Sequence, residues 1–333
     1  MFRSVLLLGL GLLAAAAGAE GLTPERLGVI YNRDDPGSTR TAVYYASRRG
    51  VPAQNLVPIS LIDKSVMGRA EFSVLRKQVL SALPADVQSV LLIWSKPYAV
   101  ECMSITTAIA AGYRPGFCEP GCGATTSSPL YDTSGWLPAD TVGWLPAMLL
   151  PSQDEVLARS VIDRGIRSDG SAPTGTVYLV RTADIARNVR AEGYADAKTL
   201  LSGRISVQIL SAPIQKPPSD VLAYFTGVKR VDELPGLAFR PGAAGDHLTS
   251  TGGVLAGGDQ MTIMEWLGQG ATASYGTVSE PCNNLGKFPN PKVLLTHYLR
   301  GDTLLEAYWK SVAMPGQGLF VGEPLARPYR VSP

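Results

Sequence analysis

Short apolar runs of strand length alternate with helix-length amphipathic segments, and this alternation restricts the chain to few folds. Leu27 to Tyr31 and Leu56 to Leu61 read as strands. Between them Asp35 precedes Pro36, an N-cap followed by proline at the first helical position. Ala42, Tyr45, Ala46 and Arg49 then keep helical spacing until Gly50-Val51-Pro52 stops it. Phe72, Leu75, Val79 and Leu83 form a second apolar helix stripe, halted by Pro84. The run "SVLLIW", Ser89 to Trp94, is apolar throughout, as a strand covered on both faces requires. Strand–helix–strand–helix–strand predicts a parallel sheet with right-handed crossovers.

The rhythm breaks between residues 98 and 151. This segment holds three of the four cysteines and many Gly, Pro, Ser and Thr residues, so it reads as a long insertion after the third strand. "AMLLP", Ala147 to Pro151, is strand-sized at most. The alternation then resumes. Ser152 and Glu155 read as a capping box opening a helix. Thr176 to Val180 is a strand, Asp184 caps a helix to about Leu201, and Ile205 to Leu210 and Val221 to Gly227 are further strands. Thr303 and Glu306 open a last helix before Pro315. The fold class expected is α/β, a mostly parallel sheet with helices on both faces, in one domain spanning 20–333.

The N-terminus sets the compartment. Arg3, an apolar run from Val5 to Ala17 and the Ala17-Gly18-Ala19 triplet have the form of a signal peptide cleaved after Ala19. That predicts a periplasmic or secreted protein with no membrane-spanning segment left after cleavage. The formal charge of +2 becomes +1 once Arg3 is removed, so no broad basic surface for nucleic acid is expected. "YNRDDPGS" after the first strand is not a phosphate-binding glycine loop, and no motif calls for a cofactor. In an exported chain Cys102, Cys118, Cys122 and Cys282 are disulfide candidates, with three pairings open. No second closely spaced Cys/His pair accompanies Cys118 and Cys122, so a metal site is not expected.

The residues with most chemical interest lie between Gly245 and Asn284. His247, one of two histidines in the chain, sits in "GDHLTSTGG", and Cys282 in "TVSEPCNN". Both clusters fall at expected strand ends, flanking a glycine turn, a helix over Gln260 to Leu267 capped by Gly270, and the strand "ATASYG". In one reading His247 is a base and Cys282 a thiolate nucleophile, with Asp246, Ser250 and Glu280 as helpers. In the other His247 is a buried, hydrogen-bonded side chain and Cys282 half of a disulfide. His297, late in "PKVLLTHYLRG", reads as structural.

"YNRDDPGSTRTAVYYASRRGVP", "YRPGFCEPGCGATTSSPLYD", "GDHLTSTGG", "GATASYGTVSEPCN" and "LLEAYWKSVAMPGQGLFVGEPLARPY" together resemble an uncharacterised family of exported bacterial proteins found in species that carry exosortase, a membrane sorting enzyme. The resemblance runs over nearly all of the mature chain. It implies envelope biology, with envelope proteins or peptides as partners, and no established reaction. The order of strand, GG turn, helix and strand is also similar to the C-terminal half of gingipain-like and caspase-like peptidases. Those enzymes place a His-Gly on one strand end and a Cys on the next. Here His247 precedes Leu248, Thr249 and Ser250 stand where the cysteine is expected, and Cys282 comes one strand later. The reading that results is a non-catalytic or degenerate peptidase-like scaffold, with a cysteine-dependent hydrolase using His247 and Cys282 as the alternative.

Overall fold

A computed structural model describes residues 21–118 and 122–330. The expected leader, 1–19, lies outside the described residues. Ten strands form one sheet: β1 (Leu27–Asn32), β2 (Leu56–Ile59), β3 (Ser89–Ile93), β4 (Ala147–Leu150), β5 (Thr176–Arg181), β6 (Ser206–Ser211), β7 (Val221–Gly227), β8 (Phe239–Leu248), β9 (Ala273–Thr277) and β10 (Gly318–Gly322). Their spatial order is β2-β1-β3-β4-β10-β9-β8-β7-β5-β6. Every neighbouring pair is parallel except β9 and β10. The sheet is therefore two parallel halves running in opposite directions. Each half follows the same order, second-first-third-fourth-fifth, and the C-terminal strand β10 supplies the fifth place of the first half.

The helices follow from the local sequence. Asp35 caps α1 (Pro36–Arg49) by accepting from the Gly37 amide at 2.8 Å, and Gly50 closes it in the left-handed conformation. Thr303 and Glu306 form the expected box at the start of α9 (Leu304–Ser311). Ser152 does not cap α5 (Glu155–Ser168); Asp154 does, accepting from the Leu157 amide at 3.0 Å. The helix expected from Asp184 is delayed. A 3-10 turn covers Asn188–Gly193, and α6 runs only Tyr194–Leu201. Here Arg190 reaches into the sheet, pairing with Asp246 and donating to the Thr226 carbonyl at 2.6 Å, and that tertiary bond overrides helix continuation. The helix predicted over Gln260 to Leu267 is α7 (Ile263–Gln269), because Gln260 instead binds Thr249 and the Thr251 amide.

Residues 98–151 are not a structureless insertion. They include α3 (Ile105–Ala111), α4 (Pro138–Val142) and β4, which lies fully buried inside the sheet. β4 has only four residues between Pro146 and Pro151, too short for periodicity to reveal. Two disulfides join Cys102 to Cys118 and Cys122 to Cys282. Among the described residues no helix is long and apolar enough to cross a membrane.

β10 joins the halves and is also pinned from the side. Glu323, buried just after it, accepts from the Tyr45 hydroxyl at 2.8 Å and from Arg49 Nε at 3.0 Å. α1 is thus tied to the C-terminal strand. Gly318 at the start of β10 has to be glycine, because a Cβ there would overlap the Tyr275 ring. Removing one partner of a buried ion pair costs about 3–5 kcal/mol, and although Arg49 would keep its second, partly exposed partner Asp169, the Tyr45 hydroxyl and Arg49 Nε would lose their buried acceptor. Glu323→Ala is therefore expected to lower unfolding free energy in denaturant titration by about 3 kcal/mol or more. A loss below about 1 kcal/mol, the range of an exposed pair, contradicts this role.

Candidate functional site

The two opposed halves present their carboxyl edges on opposite sides of the sheet. In open α/β sheets ligands bind outside the carboxyl ends of the strands, where the strand order reverses. In the first half the order reverses between β1 and β3. A crevice of about 660 Å³ opens there, lined among others by Asn32, Asp35, Asp63, Ser95, Lys96 and Ser152. It lies beside the first turns of α1 and α5, with Gly37 and Glu155 on its wall.

Hydrogen bonds fix these walls. The Asn32 side-chain oxygen accepts from the Asp34 amide at 3.2 Å and the Leu61 amide at 3.3 Å, holding the loops after β1 and β2 together. Ser38 accepts from the Asn32 amide at 2.9 Å and donates to the Ile93 carbonyl, linking α1 to the ends of β1 and β3. Ser95 Oγ accepts from the Gln153 amide at 2.9 Å, joining the loops after β3 and β4. Arg40 Nε donates to Glu155 at 2.9 Å across the two helices. That hydrogen bond, against the opposing effect of burial, holds the Glu155 carboxyl below its usual range.

The crevice wall carries four carboxylates, Asp34, Asp35, Asp63 and Glu155, against two cations, Arg40 and Lys96. Arg40 pairs with Glu155, and Lys96 approaches Asp63 at 3.6 Å. Asp35 caps α1, and Asp34 is exposed. The net negative wall favours an uncharged polar or cationic ligand over an anion. Ser152, 1% exposed, contributes a hydroxyl with no hydrogen-bond partner. Buried hydroxyls normally find one; this oxygen has almost no accessible surface, so it lies beneath the crevice wall rather than on it. In the second half the order reverses between β5 and β7, where a smaller crevice of about 460 Å³ lies against Pro213, Ile214 and Val228. Its lining is more apolar and has fewer converging polar groups.

The residues singled out from the sequence lie at the second half's carboxyl edge, at the ends of β8 and β9, and they do not form a dyad. Cys282 is bonded to Cys122 and has no thiol. His247 is 1% exposed, on the face of β8 that packs against α7. Its Nδ1 accepts from Trp266 Nε1 at 2.8 Å and its Nε2 lies 3.0 Å from the Met261 carbonyl, which makes Nε2 the protonated nitrogen. Burial pushes its pKa down to about 4. Both ring nitrogens are occupied by structural bonds, so the ring has no free base.

Asp246 points to the opposite face of β8. It is fully buried, paired with Arg190, and its carboxyl is pushed up by burial, against the pull of that arginine. Ser250 contributes its carbonyl, which accepts from Thr277 Oγ1 at 2.8 Å. Glu280 accepts from the Cys282 amide at 2.7 Å and shapes the turn that carries the disulfide. Ser279 donates to the Cys102 carbonyl at 2.7 Å, which brings the cysteine-rich segment to this edge rather than to the first-half crevice. The second histidine, His297, sits between Asp132 at 2.9 Å and Asp302 at 3.2 Å, in a structural role. Among the described residues no group of three or more His, Cys, Asp or Glu side chains comes together to hold a metal ion.

The crevice residues escaped the sequence reading because they form no motif. They are the residues that follow four strands, "NRDDPG", "LID", "SK" and "SQDE", and only the strand order brings them together. Comparison with protein-family models, with curated proteins and with solved structures found no match.

His247 gives this site a measurable pH signature. Its folded pKa of about 4 lies below the ordinary 6.5, so the unfolded chain takes up a proton first as pH falls. The stability it contributes is complete above about pH 6.5 and is lost as pH drops toward and through 4, by on the order of 3 kcal/mol. Denaturant titrations between pH 7 and 4 are expected to show this decline, flattened in His247→Gln. An identical slope in the variant would mean that His247 titrates freely in the folded protein.

Proposed function

We propose that this chain is an exported, envelope-associated binding protein, periplasmic or secreted, that performs no covalent chemistry. Its ligand would be a small polar molecule, uncharged or cationic, held in the crevice at the carboxyl ends of β1 and β3. The observation that carries this reading is the placement of that crevice at the order reversal, with loops from four strands and two helices fixed around it. The two disulfides fit export. The resemblance to exported proteins of exosortase-bearing species supplies the envelope setting, and the likeness to gingipain-like scaffolds enters only as a statement about ancestry of the frame. A peptidase built on His247 and Cys282 has no support, since one lacks a thiol and the other a free nitrogen.

A thermal-shift panel of neutral sugars, polyols, small amines and oxyanions tests the reading on the mature chain. A ligand at one hundred times its Kd stabilises the folded state by about 2.7 kcal/mol, worth roughly 4 °C in a chain of this size. At least one neutral or amine compound is expected to give such a shift, and Asp34→Arg, which reverses charge on the exposed rim, is expected to abolish it for amines. A panel with no stabilising compound, or shifts indifferent to both Asp34→Arg and a crevice-filling Ser95→Trp, overturns the proposal.

A further inference from the structure

A second groove lies on the outer side of α2 (Arg69–Ala82), away from the crevice. Arg69, Ser73, Arg76, Lys77 and Leu80 follow one another at i, i+4, i+7, i+8 and i+11 and so share one helix face. With Tyr113 they line a cavity of about 710 Å³ that contains no carboxylate. At 1.5 Å per residue the cations from Arg69 to Lys77 are spread over about 12 Å.

These cations differ in one respect. Arg69 is compensated: it pairs with Glu101 at 2.7 Å and lies 4.7 Å over the Tyr113 ring. Arg76 is half-buried and has no acidic partner among the described residues. Its Nε donates to the Ile109 carbonyl at 3.1 Å, which fixes the plane of the guanidinium and leaves both terminal nitrogens free for the groove. Gly112 lies over that plane, where a Cβ would stand 3.8 Å from the guanidinium carbon. Lys77 and Arg114 are exposed, and neither is paired with an acid among the described residues. Burial, and after it the Arg114 charge, lower the Arg76 pKa from its ordinary value. A planar guanidinium held on one edge, with its terminal fork free and like charges alongside, is the arrangement that receives an oxyanion bidentately. In a chain whose formal net charge is only +2, this local excess of cations is not a general property of the surface.

We propose that the α2 groove is a binding site for a ligand bearing a carboxylate or phosphate group, seated on the terminal fork of Arg76, with Lys77 flanking it. The oxyanion replaces the missing acidic partner of a half-buried arginine. The site is separate from the crevice of β1 and β3, which repels anions, so a ligand with both an anionic and a neutral part would not be expected to span them.

Calorimetric titration of the mature chain at low ionic strength, with inorganic phosphate and with citrate as probes, tests this. Saturable binding of at least one probe is expected, weakening as salt rises. Arg76→Gln is expected to cut affinity at least tenfold, and Arg76→Lys, which keeps the charge but not the fork, by nearly as much. Lys77→Glu, at an exposed position that leaves the fold alone, places a carboxylate in the groove and is expected to weaken binding comparably. Lys198→Gln, on α6, is expected to change nothing. Binding of phosphate alone assigns the site to phosphorylated ligands, and binding of citrate alone to carboxylates. Failure of both probes to bind saturably, or binding unchanged in Arg76→Gln and Lys77→Glu, overturns the proposal.

Discussion

One antiparallel pairing, β9 against β10, sets the geometry of the whole molecule. Five register pairs, Ala273 with Gly322 through Thr277 with Gly318, join two parallel half-sheets that run in opposite directions. Because the C-terminal strand completes the N-terminal half, the chain closes on itself, and the buried Arg49 and Glu323 pair holds α1 to that closure. The same pairing turns the two carboxyl edges away from each other. The crevice of β1 and β3 therefore lies on one side of the sheet, and the ends of β8 and β9, with the disulfides, on the other.

This reversal could not be read from local pattern. Strands β1, β3, β5 and β7 are continuous apolar runs with clear stops, and they were legible because a parallel strand covered on both faces must be apolar along its length. β10, "GLFVG", has the same composition, but nothing in it marks its pairing as antiparallel to one neighbour and parallel to the other. β4 was legible only as a fragment, since four residues carry no period. The caps at Asp35, Gly50, Gly270 and Thr303 were legible because capping is local chemistry. Ser152 was assigned a capping role that Asp154 holds, and its hydroxyl lies beneath the crevice wall instead.

The candidate site divides in the same way. The sequence drew attention to His247 and Cys282 because rare reactive residues at neighbouring strand ends are what a dyad needs. Proximity in the fold does not supply the protonation states a dyad requires. His247 is drawn into a layer with Trp266 and Met261, where the ring fills the space between β8 and α7 and is held neutral by burial. Cys282 serves the opposite purpose, stitching the loop after β9 to a segment 160 residues earlier. A cross-link over that span restricts the unfolded chain strongly, worth about 2–5 kcal/mol. His247 helps hold the second half together, and Cys282 ties that half to the connection between β3 and β4. The groups placed to meet a ligand are the polar wall of the crevice at one place and Arg76 at another, and neither belongs to a motif.

The distinction between a binding scaffold and a cysteine hydrolase rests on the state of one sulfur. Mass mapping of alkylated, unreduced protein recovered from its native cells measures it directly. The structure predicts no alkylated cysteine, with Cys102 linked to Cys118 and Cys122 to Cys282. A folded chain that carries alkylated Cys282 would contradict it.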